Sequence, residues 1–567
     1  MDATGAVNTL NTVSTASADE RLRALYTEEW DWRVEQFGRQ VFDATGPVDA
    51  FLPDVGEEAR AARRRRWQST VDQVTAIPDA HLSPAEQTNK AVYLDQLRTL
   101  LDQEAFHCEQ WPANADTAFW SRVSGRAARV LRTDAEREAY LAQLADLPRH
   151  FAQQIANMRA GVARGFGPAK ITMRGRDATI RSVAQASSAE ETVFYKAFAG
   201  SPQAILDAAK RTVTDAVMPA YAGLLEFYLG EYLPALPEGI AASDLPDGRE
   251  FYRAQLREYT TTTLGPEEIF ELGLAEVARI RTEMDEIVRA TGFADLPALL
   301  HHLRTDPSFY ATTPQELLRA AAWHAKEFDG VVHDYFGRVP RMRFGIEEPP
   351  ADLAPFYTFG RGGAGRYVVN TYDLKSRPLY SLPSLTLHEA APGHAFQIPF
   401  AMEQEHLPQF RRHVYLSAYG EGWALYAERL GVEMGMYHGP FEVMGMLSFQ
   451  MWRAARLVVD PGIHALGWSR ERARQFLRDN TAIAEHEIGT EIDRYIAWPG
   501  QATAYHLGQL CILDARRKAE AALGGRFDLR AFHDQVLSLG SVPLTVLTAE
   551  VDRFIERGGR SPFSNDA

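Results

Sequence analysis

The chain has 567 residues, with 60 Lys or Arg against 75 Asp or Glu, so its formal net charge is −15. This acidic balance argues against nonspecific binding of nucleic acid or of an anionic membrane, and 46% apolar with 24% charged residues argues against a disordered chain. Only two cysteines are present, which excludes a disulfide framework and a thiolate zinc ribbon. The length exceeds the roughly 250–300 residues that one ordinary core supports, so we expect lobes with a cleft between them.

The amino-terminal end of the sequence is small and polar, and we expect residues 1–18 to form a disordered tail. It has no basic segment followed by an apolar run, the pattern of a secretory signal. No stretch of the chain approaches the roughly 18–20 apolar residues of a membrane span. The sequence therefore predicts a cytoplasmic protein without nucleic-acid or membrane partners.

Helical periodicity dominates from residue 19 onward. Pro84 and Pro266 each stand at the first position of a predicted helix with glutamates in its first turn, and the second of these helices runs to about Thr291. Strand-like patterns are few, the best being residues 342–346 and 366–372. We therefore expect a mostly α fold with a small β-sheet.

The chain divides near residues 330–340. Residues 19–335 form a helical amino-terminal half, and residues 336–567 form a catalytic half that carries the chemical motifs. We expect the two halves to make one integrated unit around a cleft.

A glycine-rich segment from Gly360 to Gly365 fits the spacing G-x-G-x-x-G of a dinucleotide-binding turn. Such a turn needs a strand before it and a helix after it, whereas a strand-like segment follows here. We interpret the glycines as a loop beside the cleft that leads to an edge strand.

The sharpest chemical signal is the segment from His388 to His394, His-Glu-Ala-Ala-Pro-Gly-His. Zinc hydrolases bind the metal through neutral imidazoles and use a nearby carboxylate, which is not a ligand, to take a proton from water. The usual His-Glu-x-x-His form places both rings on one helix face. In this segment the second histidine comes six residues after the first, and on a regular helix that spacing places its ring about 120° away from the first ring. The intervening Pro392 and Gly393 can break the helix. Two unrelated histidines remain the alternative.

Glu421 is a candidate third ligand, 27 residues after His394. The spacing allows a second helix to return antiparallel and present this carboxylate to the same ion. Glu428 lies two turns further along nearly the same stripe. It is either a hydrogen-bond partner of a ligand histidine or a surface charge.

Four blocks follow one another in the catalytic half. They read Leu-Thr-Leu-His-Glu-Ala-Ala-Pro-Gly-His (385–394), Glu-Gly-Trp-Ala-Leu-Tyr (421–426), Arg-Ala-Ala-Arg-Leu-Val-Val-Asp-Pro-Gly-Ile-His (453–464) and Arg-Tyr-Ile-Ala-Trp-Pro-Gly-Gln-Ala (494–502). Together they resemble the bacterial domain-of-unknown-function 885 family, which is regarded as zinc-metallopeptidase-like and is similar to helical gluzincins such as the thermostable carboxypeptidases. Weaker similarity extends through residues 252–262. The resemblance implies a large helical gluzincin-like fold with a deep cleft and a small β-sheet at the active site.

The resemblance also implies site residues. His388, His394 and Glu421 would bind one zinc ion per chain, and Glu389 would be the general base. An edge strand in gluzincins can pair with an extended peptide substrate. Further candidates are catalytic donors to the transition state (Tyr495, Tyr505, His464, Arg494), substrate contacts (Asn370, Gln501) and supporting residues around the site (Glu428, Arg453, Arg456, Asp460). For Gln501 a role as a helix-entry residue is an equal alternative, and Arg453, Arg456 and Asp460 are expected to form a buried ion network.

One position departs from the family. Many members carry two histidines after the glycine, and the second is Ala395 in this chain. The substitution leaves His394 as the candidate ligand and predicts weaker metal binding if both histidines normally contribute.

We expect a zinc-dependent hydrolase that cleaves amide bonds of short peptides or related small molecules with a metal-activated water. Two alternatives remain open. One is a metal-dependent enzyme of small-molecule biosynthesis or catabolism with a nonpeptide substrate, and the other is a helical binding protein with a degenerate metal site. The oligomeric state is not predicted.

Overall fold

The computed structural model describes residues 17–42, 46–114, 117–127, 130–350, 354–481, 483 and 485–564, without the side chains of residues 126, 356 and 486. Most of the predicted tail, residues 1–16, lies outside the described residues. The first helix begins at Ala18, where the Ser17 hydroxyl accepts a hydrogen bond from the backbone of Glu20 and the Glu20 carboxylate binds the Ser17 N–H. This capping box fixes the start of the helix.

The structure is mostly α-helical, as the sequence predicts. In the amino-terminal half the α-helices span Ala18–Phe37, Glu57–Thr75, Pro84–Ala105, Phe119–Arg126, Asp134–Ala145, Leu147–Ala163, Lys170–Met173, Ala178–Ala184, Val193–Lys196, Gln203–Thr212, Met218–Phe227, Leu233–Ala235, Gly248–Thr260, Pro266–Thr291, Leu296–Thr305 and Pro314–Tyr335, and π-helical turns at Val213–Val217 and Tyr228–Tyr232 join three of them. The helices predicted from Pro84 and Pro266 both begin at those prolines, and the second ends at Thr291 before Gly292, whose φ is +77°.

Helices also make up most of the carboxy-terminal half. They span Leu382–Glu389, His394–Met402, Gln409–Arg412, Ser417–Glu433, Pro440–His464, Arg470–Asn480, Glu485–Ala497, Ala504–Leu523, Leu529–Ser538 and Leu544–Glu556. Pro266–Thr291 packs along Pro440–His464, and Ser417–Glu433 packs along Ala504–Leu523. These two pairs form the framework behind the motif residues.

A three-stranded sheet lies between the two sets of helices along the chain. Its strands are β1 (Gly345–Glu347), β2 (Gly360–Gly363) and β3 (Arg366–Val369), in the order β1-β3-β2. β1 runs parallel and β2 antiparallel to β3. The glycine-rich segment is therefore itself the edge strand β2 rather than a loop before it, and no helix follows it as a dinucleotide site would require.

The hydrophobic cores connect the two halves of the chain. One core contains both Tyr93 and Trp423, and another contains both Met284 and Trp452. A third core has all of its buried members within residues 52–236. The helices that carry the motifs thus share hydrophobic cores with helices of the amino-terminal half. Within the described part of the chain, no helix combines the length and apolarity needed to cross a membrane.

Candidate metal centre

The two motif histidines lie on different helices, because the helix that carries His388 stops before His394. The first helix is Leu382–Glu389 and the second is His394–Met402. A Cβ atom at Gly393 would lie 1.8 Å from the carbonyl oxygen of His388, so only glycine allows the backbone to turn this closely. The helix break indicated by the proline–glycine pair is present.

The break turns both imidazole rings toward one carboxylate oxygen. Nε2 of His388 lies 3.5 Å from Oε2 of Glu421, and Nε2 of His394 lies 3.4 Å from the same atom. Ligand atoms bound at about 2.1 Å to a tetrahedral zinc ion are about 3.4 Å apart. The two separations from Glu421 match this spacing, and neither involves Ala395.

Glu421 reaches the histidines from the helix Ser417–Glu433. This helix approaches Ala504–Leu523 at a pair of glycines, where a Cβ atom on Gly422 would lie 2.4 Å from the carbonyl carbon of Gly508. The glycine of the Glu-Gly-Trp block therefore has a steric role. It lets the two backbones touch and so sets the position of the neighbouring carboxylate.

Glu428 is a hydrogen-bond partner of His388 and not a surface charge. Its side chain is completely buried, and Oε1 lies 2.6 Å from Nδ1 of His388. The hydroxyl of Ser384 donates to the other carboxylate oxygen at 2.8 Å. A carboxylate bound in this way to Nδ1 orients the ring and directs Nε2 toward a metal. Nδ1 of His394, by contrast, is buried without a hydrogen-bond partner among the described residues.

Three carboxylates control the charge of His388. Burial by itself would lower the pKa of this histidine, but Glu389, Glu421 and Glu428 outweigh that effect and raise the pKa to about 10. The histidines in turn hold the pKa of Glu421 well below its usual value despite burial. A cluster with this many carboxylates favours a cation, either a proton or a metal ion.

Glu389 stands beside the donor atoms and is held by the sheet. Its Oε2 accepts a hydrogen bond from the backbone N–H of Gly362 at 2.6 Å, and its Oε1 lies 4.0 Å from Nε2 of His388. A Cβ atom at Gly362 would lie 1.8 Å from the Glu389 carbonyl oxygen. The edge strand β2 therefore uses this amide to fix Glu389, which makes the Gly362 N–H unavailable to a substrate.

Tyr415 is a site residue that the sequence did not reveal. Its hydroxyl donates to Oε1 of Glu421 at 3.1 Å, and its ring centroid lies 6.2 Å from that of His394. The ring lies against Gly420, where a Cβ atom would come within 2.3 Å of it. The residue is 42% exposed, so part of it reaches the surface while its hydroxyl is bound to Glu421. The glycine before Glu421 was the one sequence signal for a group packed there.

Three of the downstream candidates form one cluster. Nη2 of Arg494 donates to Oε1 of Gln501 at 2.7 Å and to the hydroxyl of Tyr505 at 3.2 Å. The guanidinium of Arg456 lies 4.4 Å from the centroid of the Tyr505 ring. Tyr505 lies on the helix Ala504–Leu523, which packs along the helix that carries Glu421. The amide oxygen of Gln501 is already bound to arginine.

Tyr495 and His464 are held within the core. The hydroxyl oxygen of Tyr495 accepts hydrogen bonds from Nε1 of Trp452 and from Nε of Arg456, each at 3.0 Å. Nδ1 of His464 accepts from the N–H of Ala242 at 3.0 Å, and its Nε2 lies 2.9 Å from the carbonyl oxygen of Tyr495. Burial lowers the pKa of His464 to about 4. Neither ring nitrogen is available to a substrate, so the geometry favours a structural role for both residues.

The predicted buried ion network has different partners from those expected. Arg456 forms its ion pair with Glu491 at 2.8 Å rather than with Asp460. Asp460 instead accepts hydrogen bonds from the Tyr252 hydroxyl at 2.7 Å and from the backbone of Gly500 at 3.0 Å. Burial raises the pKa of Asp460 to about 7. An i, i+4 spacing brings the two side chains near each other, but partners distant in sequence bind them.

Asn370 braces the loop before β2 instead of facing a substrate. Its side-chain N–H groups donate to the carbonyls of Ala354 and Tyr357 at 3.1 and 2.8 Å, and its oxygen accepts from the N–H of Tyr372 at 3.0 Å. The side chain is completely buried. These contacts use the amide fully, so they favour a structural role over the predicted substrate contact.

Comparison with known proteins places the chain in a family and a fold. A model described as "Bacterial protein of unknown function (DUF885)" matches residues 36–551. No curated protein matches the chain. A solved structure of a "putative lipoprotein" from Colwellia psychrerythraea is 27% identical, with a TM-score of 0.87 over 96% of this chain and 100% of its own. A second, a "putative lipoprotein of unknown function" from Shewanella oneidensis, is 18% identical, with a TM-score of 0.65 over 94% of this chain and 99% of its own. Both share the helical fold.

Proposed function

The chain belongs to the DUF885 family of bacterial proteins of unknown function, and we propose that it is a zinc-dependent hydrolase of amide bonds in short peptides or related small molecules. The observation that carries this proposal is the donor geometry. Two imidazole nitrogens lie 3.5 and 3.4 Å from one oxygen of Glu421, the spacing of ligands around zinc. A further carboxylate, Glu389, also offers an oxygen within 4.8 Å of donor atoms of both histidines, and we assign it to proton transfer rather than to the metal.

Each residue has a distinct task in this chemistry. His388, His394 and Glu421 would hold the zinc ion, which when bound supplies a Lewis acid that polarises a carbonyl group and lowers the pKa of water. Glu389, fixed by the N–H of Gly362, accepts a proton from the attacking water and passes it to the leaving amine. Glu428 keeps the ring of His388 turned so that Nε2 faces the other donors.

Tyr505 is the best candidate for a donor to the transition state. Arg494 donates to its hydroxyl oxygen, so the phenolic proton remains free to bind the oxygen of the attacked carbonyl. The hydroxyl of Tyr415 donates to Glu421, which commits its proton to a ligand. Tyr505 therefore fits the role better than either Tyr415 or the core residue Tyr495.

The test compares the wild type with Glu389→Gln on a library of di- to hexapeptides, with products read by mass spectrometry and zinc measured in the same samples. The variant should keep about one zinc per chain and lose turnover by about 10²–10⁴-fold, because only proton transfer is removed. Glu405→Gln, at an exposed glutamate, is the matched control. Undiminished turnover in Glu389→Gln would overturn the mechanism, and a wild type that binds zinc but cleaves no peptide would favour a nonpeptide amide as substrate.

The cellular location is a separate part of the proposal. The cytoplasmic location predicted from the sequence stays a prediction, and the description of two similar structures as lipoproteins supports the cell envelope instead. Fractionation of cells that express the full gene, followed by detection of the protein in cytosol and envelope, decides between the two.

A further inference from the structure

We infer that the substrate carries a free carboxylate group and that Arg453 binds it beside the metal centre. This inference rests on the proposed function, because it names the class of amide that the site would accept. Its evidence is a buried guanidinium with unpartnered donors, stacked between aromatic rings on a helix that contacts the helix of the general base.

The guanidinium of Arg453 is buried, and two of its nitrogens are unpaired in the part of the chain that the structure describes. The residue is 5% exposed, and its Nε and Nη1 atoms have no hydrogen-bond partner among the described residues. Leaving donors of a charged group unsatisfied in a protein interior costs free energy, so such groups are rare unless a ligand or ion completes them. The guanidinium therefore lacks a hydrogen-bond acceptor, and a group on the substrate can supply one.

Two aromatic rings hold the guanidinium in place. It lies 4.7 Å from the ring centroid of Phe449 and 4.4 Å from that of Trp452. Stacking of this kind fixes the plane of the guanidinium and leaves the N–H groups on its edge free. A planar fork with fixed orientation matches the two oxygens of a carboxylate, which can accept two parallel hydrogen bonds.

The position of Arg453 connects it to the reaction. It lies on the helix Pro440–His464, which contacts the helix Leu382–Glu389 that ends in the general base. The carboxylates of Glu428 and Glu389 act electrostatically on the guanidinium, opposing the lowering of its pKa by burial, but neither forms a hydrogen bond with it. A substrate group bound to Arg453 would therefore sit close to the bond under attack.

The neighbouring arginines already have partners. Arg456 is paired with Glu491, and Arg494 binds Gln501 and Tyr505. A rival explanation is that Arg453 only balances the charge of Glu389 and Glu428 from a distance. A balancing charge would affect all substrates alike, whereas a carboxylate receptor would discriminate between an acid and its amide. The two explanations therefore predict different specificities.

The bound carboxylate could be the carboxyl terminus of a peptide or an acidic side chain, and three probes separate these sources. The probes are N-acetylglycyl-leucine, its carboxy-terminal amide, and the carboxy-terminal amide of N-acetylglycyl-glutamate. Calorimetry measures their binding to the Glu389→Gln protein, which is expected not to consume them, in metal-free and zinc-loaded form. The same measurements are made on three double variants, in which Glu389→Gln is combined with Arg453→Gln, with Arg453→Lys or with Arg470→Gln. The last is the control, because Arg470 is paired with Asp493.

At least one acid should bind about tenfold or more tightly than the leucine amide, as expected for charge-assisted hydrogen bonds. Arg453→Gln should abolish this ratio, Arg453→Lys should restore part of it, and Arg470→Gln should preserve it. A preference for the first acid identifies a carboxyl terminus, and a preference for the glutamate probe identifies a side chain. Unfolding temperatures show whether each variant is folded, and Arg453→Lys keeps the test decisive if Arg453→Gln is not.

Equal binding of all three probes, no binding of any, or an acid preference that survives in Arg453→Gln and Arg453→Lys would overturn the inference. Wild-type turnover of free-acid and amidated library peptides is measured in parallel. No turnover combined with acid-selective binding through Arg453 would contradict the proposed function alone. Turnover of acids and amides at equal rates would contradict the inference alone.

Discussion

Nδ1 of His388 lies 2.6 Å from Oε1 of Glu428, a residue 40 positions later in the chain. Glu428 is completely buried, and its other oxygen is bound by Ser384. A buried carboxylate is stable only when its acceptors are satisfied. This contact therefore orients the histidine before any metal binds and links two helices at the centre of the site.

The first prediction concerns this contact. Glu428→Gln keeps the size of the side chain but removes its charge, so the ring of His388 is less firmly oriented and less basic. Zinc affinity should fall by about 10–100-fold, the usual effect of losing such a partner. Competition with a chromophoric chelator measures the affinity. Ser384→Ala, which removes a more remote bond, should have a smaller effect, and equal affinities in all three proteins would contradict the assigned role.

Zinc binding should release a proton from the site. The carboxylates raise the pKa of His388 to about 10, so near pH 8 the metal-free protein carries a proton there that a metal ligand must lose. Calorimetric zinc titrations in buffers with different ionisation enthalpies count the protons released. A count near zero at pH 8 would show that His388 is neutral before zinc binds.

The same shift makes the stability of the metal-free protein depend on pH. The pKa of folded His388 lies above the unfolded value of about 6.5, so its stabilisation is complete below about pH 6.5 and is lost as the pH rises toward 10. Unfolding temperatures of the metal-free protein should fall across this window more steeply than those of His388→Gln. Parallel curves for the two proteins would refute the shift.

Two adjacent glycines of β2 offer a matched comparison. A Cβ atom at Gly362 would lie 1.8 Å from the Glu389 carbonyl oxygen and 2.8 Å from Cβ of His394, whereas one at Gly363 would have nothing within 4 Å. Gly362→Ala should therefore displace the general base, with a large loss of turnover and a loss of about 1–3 kcal/mol of stability. Gly363→Ala should leave both nearly unchanged. Turnover and unfolding free energies are the measurements, and equal effects of the two substitutions would be incompatible with the close contact.

Tyr495, in the fourth block, and Tyr505, three residues beyond it, should respond differently to removal of the hydroxyl. Tyr495→Phe leaves two buried donors, from Trp452 and Arg456, without their acceptor, and should cost about 1–3 kcal/mol of stability. Tyr505→Phe should lower kcat while zinc content stays the same, because we propose that its proton binds the oxygen of the attacked carbonyl. Unfolding and steady-state kinetic experiments check both expectations. A loss of stability in Tyr505→Phe and a loss of kcat alone in Tyr495→Phe would contradict the assignment of the two roles.

The sequence predicted those features that depend on local physical chemistry. The helix starts at Pro84 and Pro266 follow from the rigid φ of proline, and the break before His394 follows from the proline–glycine pair. A mostly α fold with a small sheet follows from the periodicity of apolar residues. These signals all lie within a few residues of their effects.

The rest depends on contacts between distant segments, which one sequence does not display. Nothing near Arg456 indicates that its partner is Glu491, and nothing near Asn370 indicates that the loop carbonyls use its amide. The hydrogen bond from Gly362 to Glu389 likewise spans 27 positions. Tyr415 escaped notice because its link to Glu421 comes from packing over Gly420 and not from helical spacing.

The position of a zinc ion tests the central proposal most directly. Crystals of the zinc-loaded protein, with anomalous diffraction recorded on both sides of the zinc absorption edge, locate the ion without reference to activity. We expect one peak per chain at about 2.0–2.2 Å from Nε2 of His388, Nε2 of His394 and an oxygen of Glu421, with Glu389 outside bonding distance. No peak at this site, or a peak with Glu389 as a ligand in place of Glu421, would contradict the proposal.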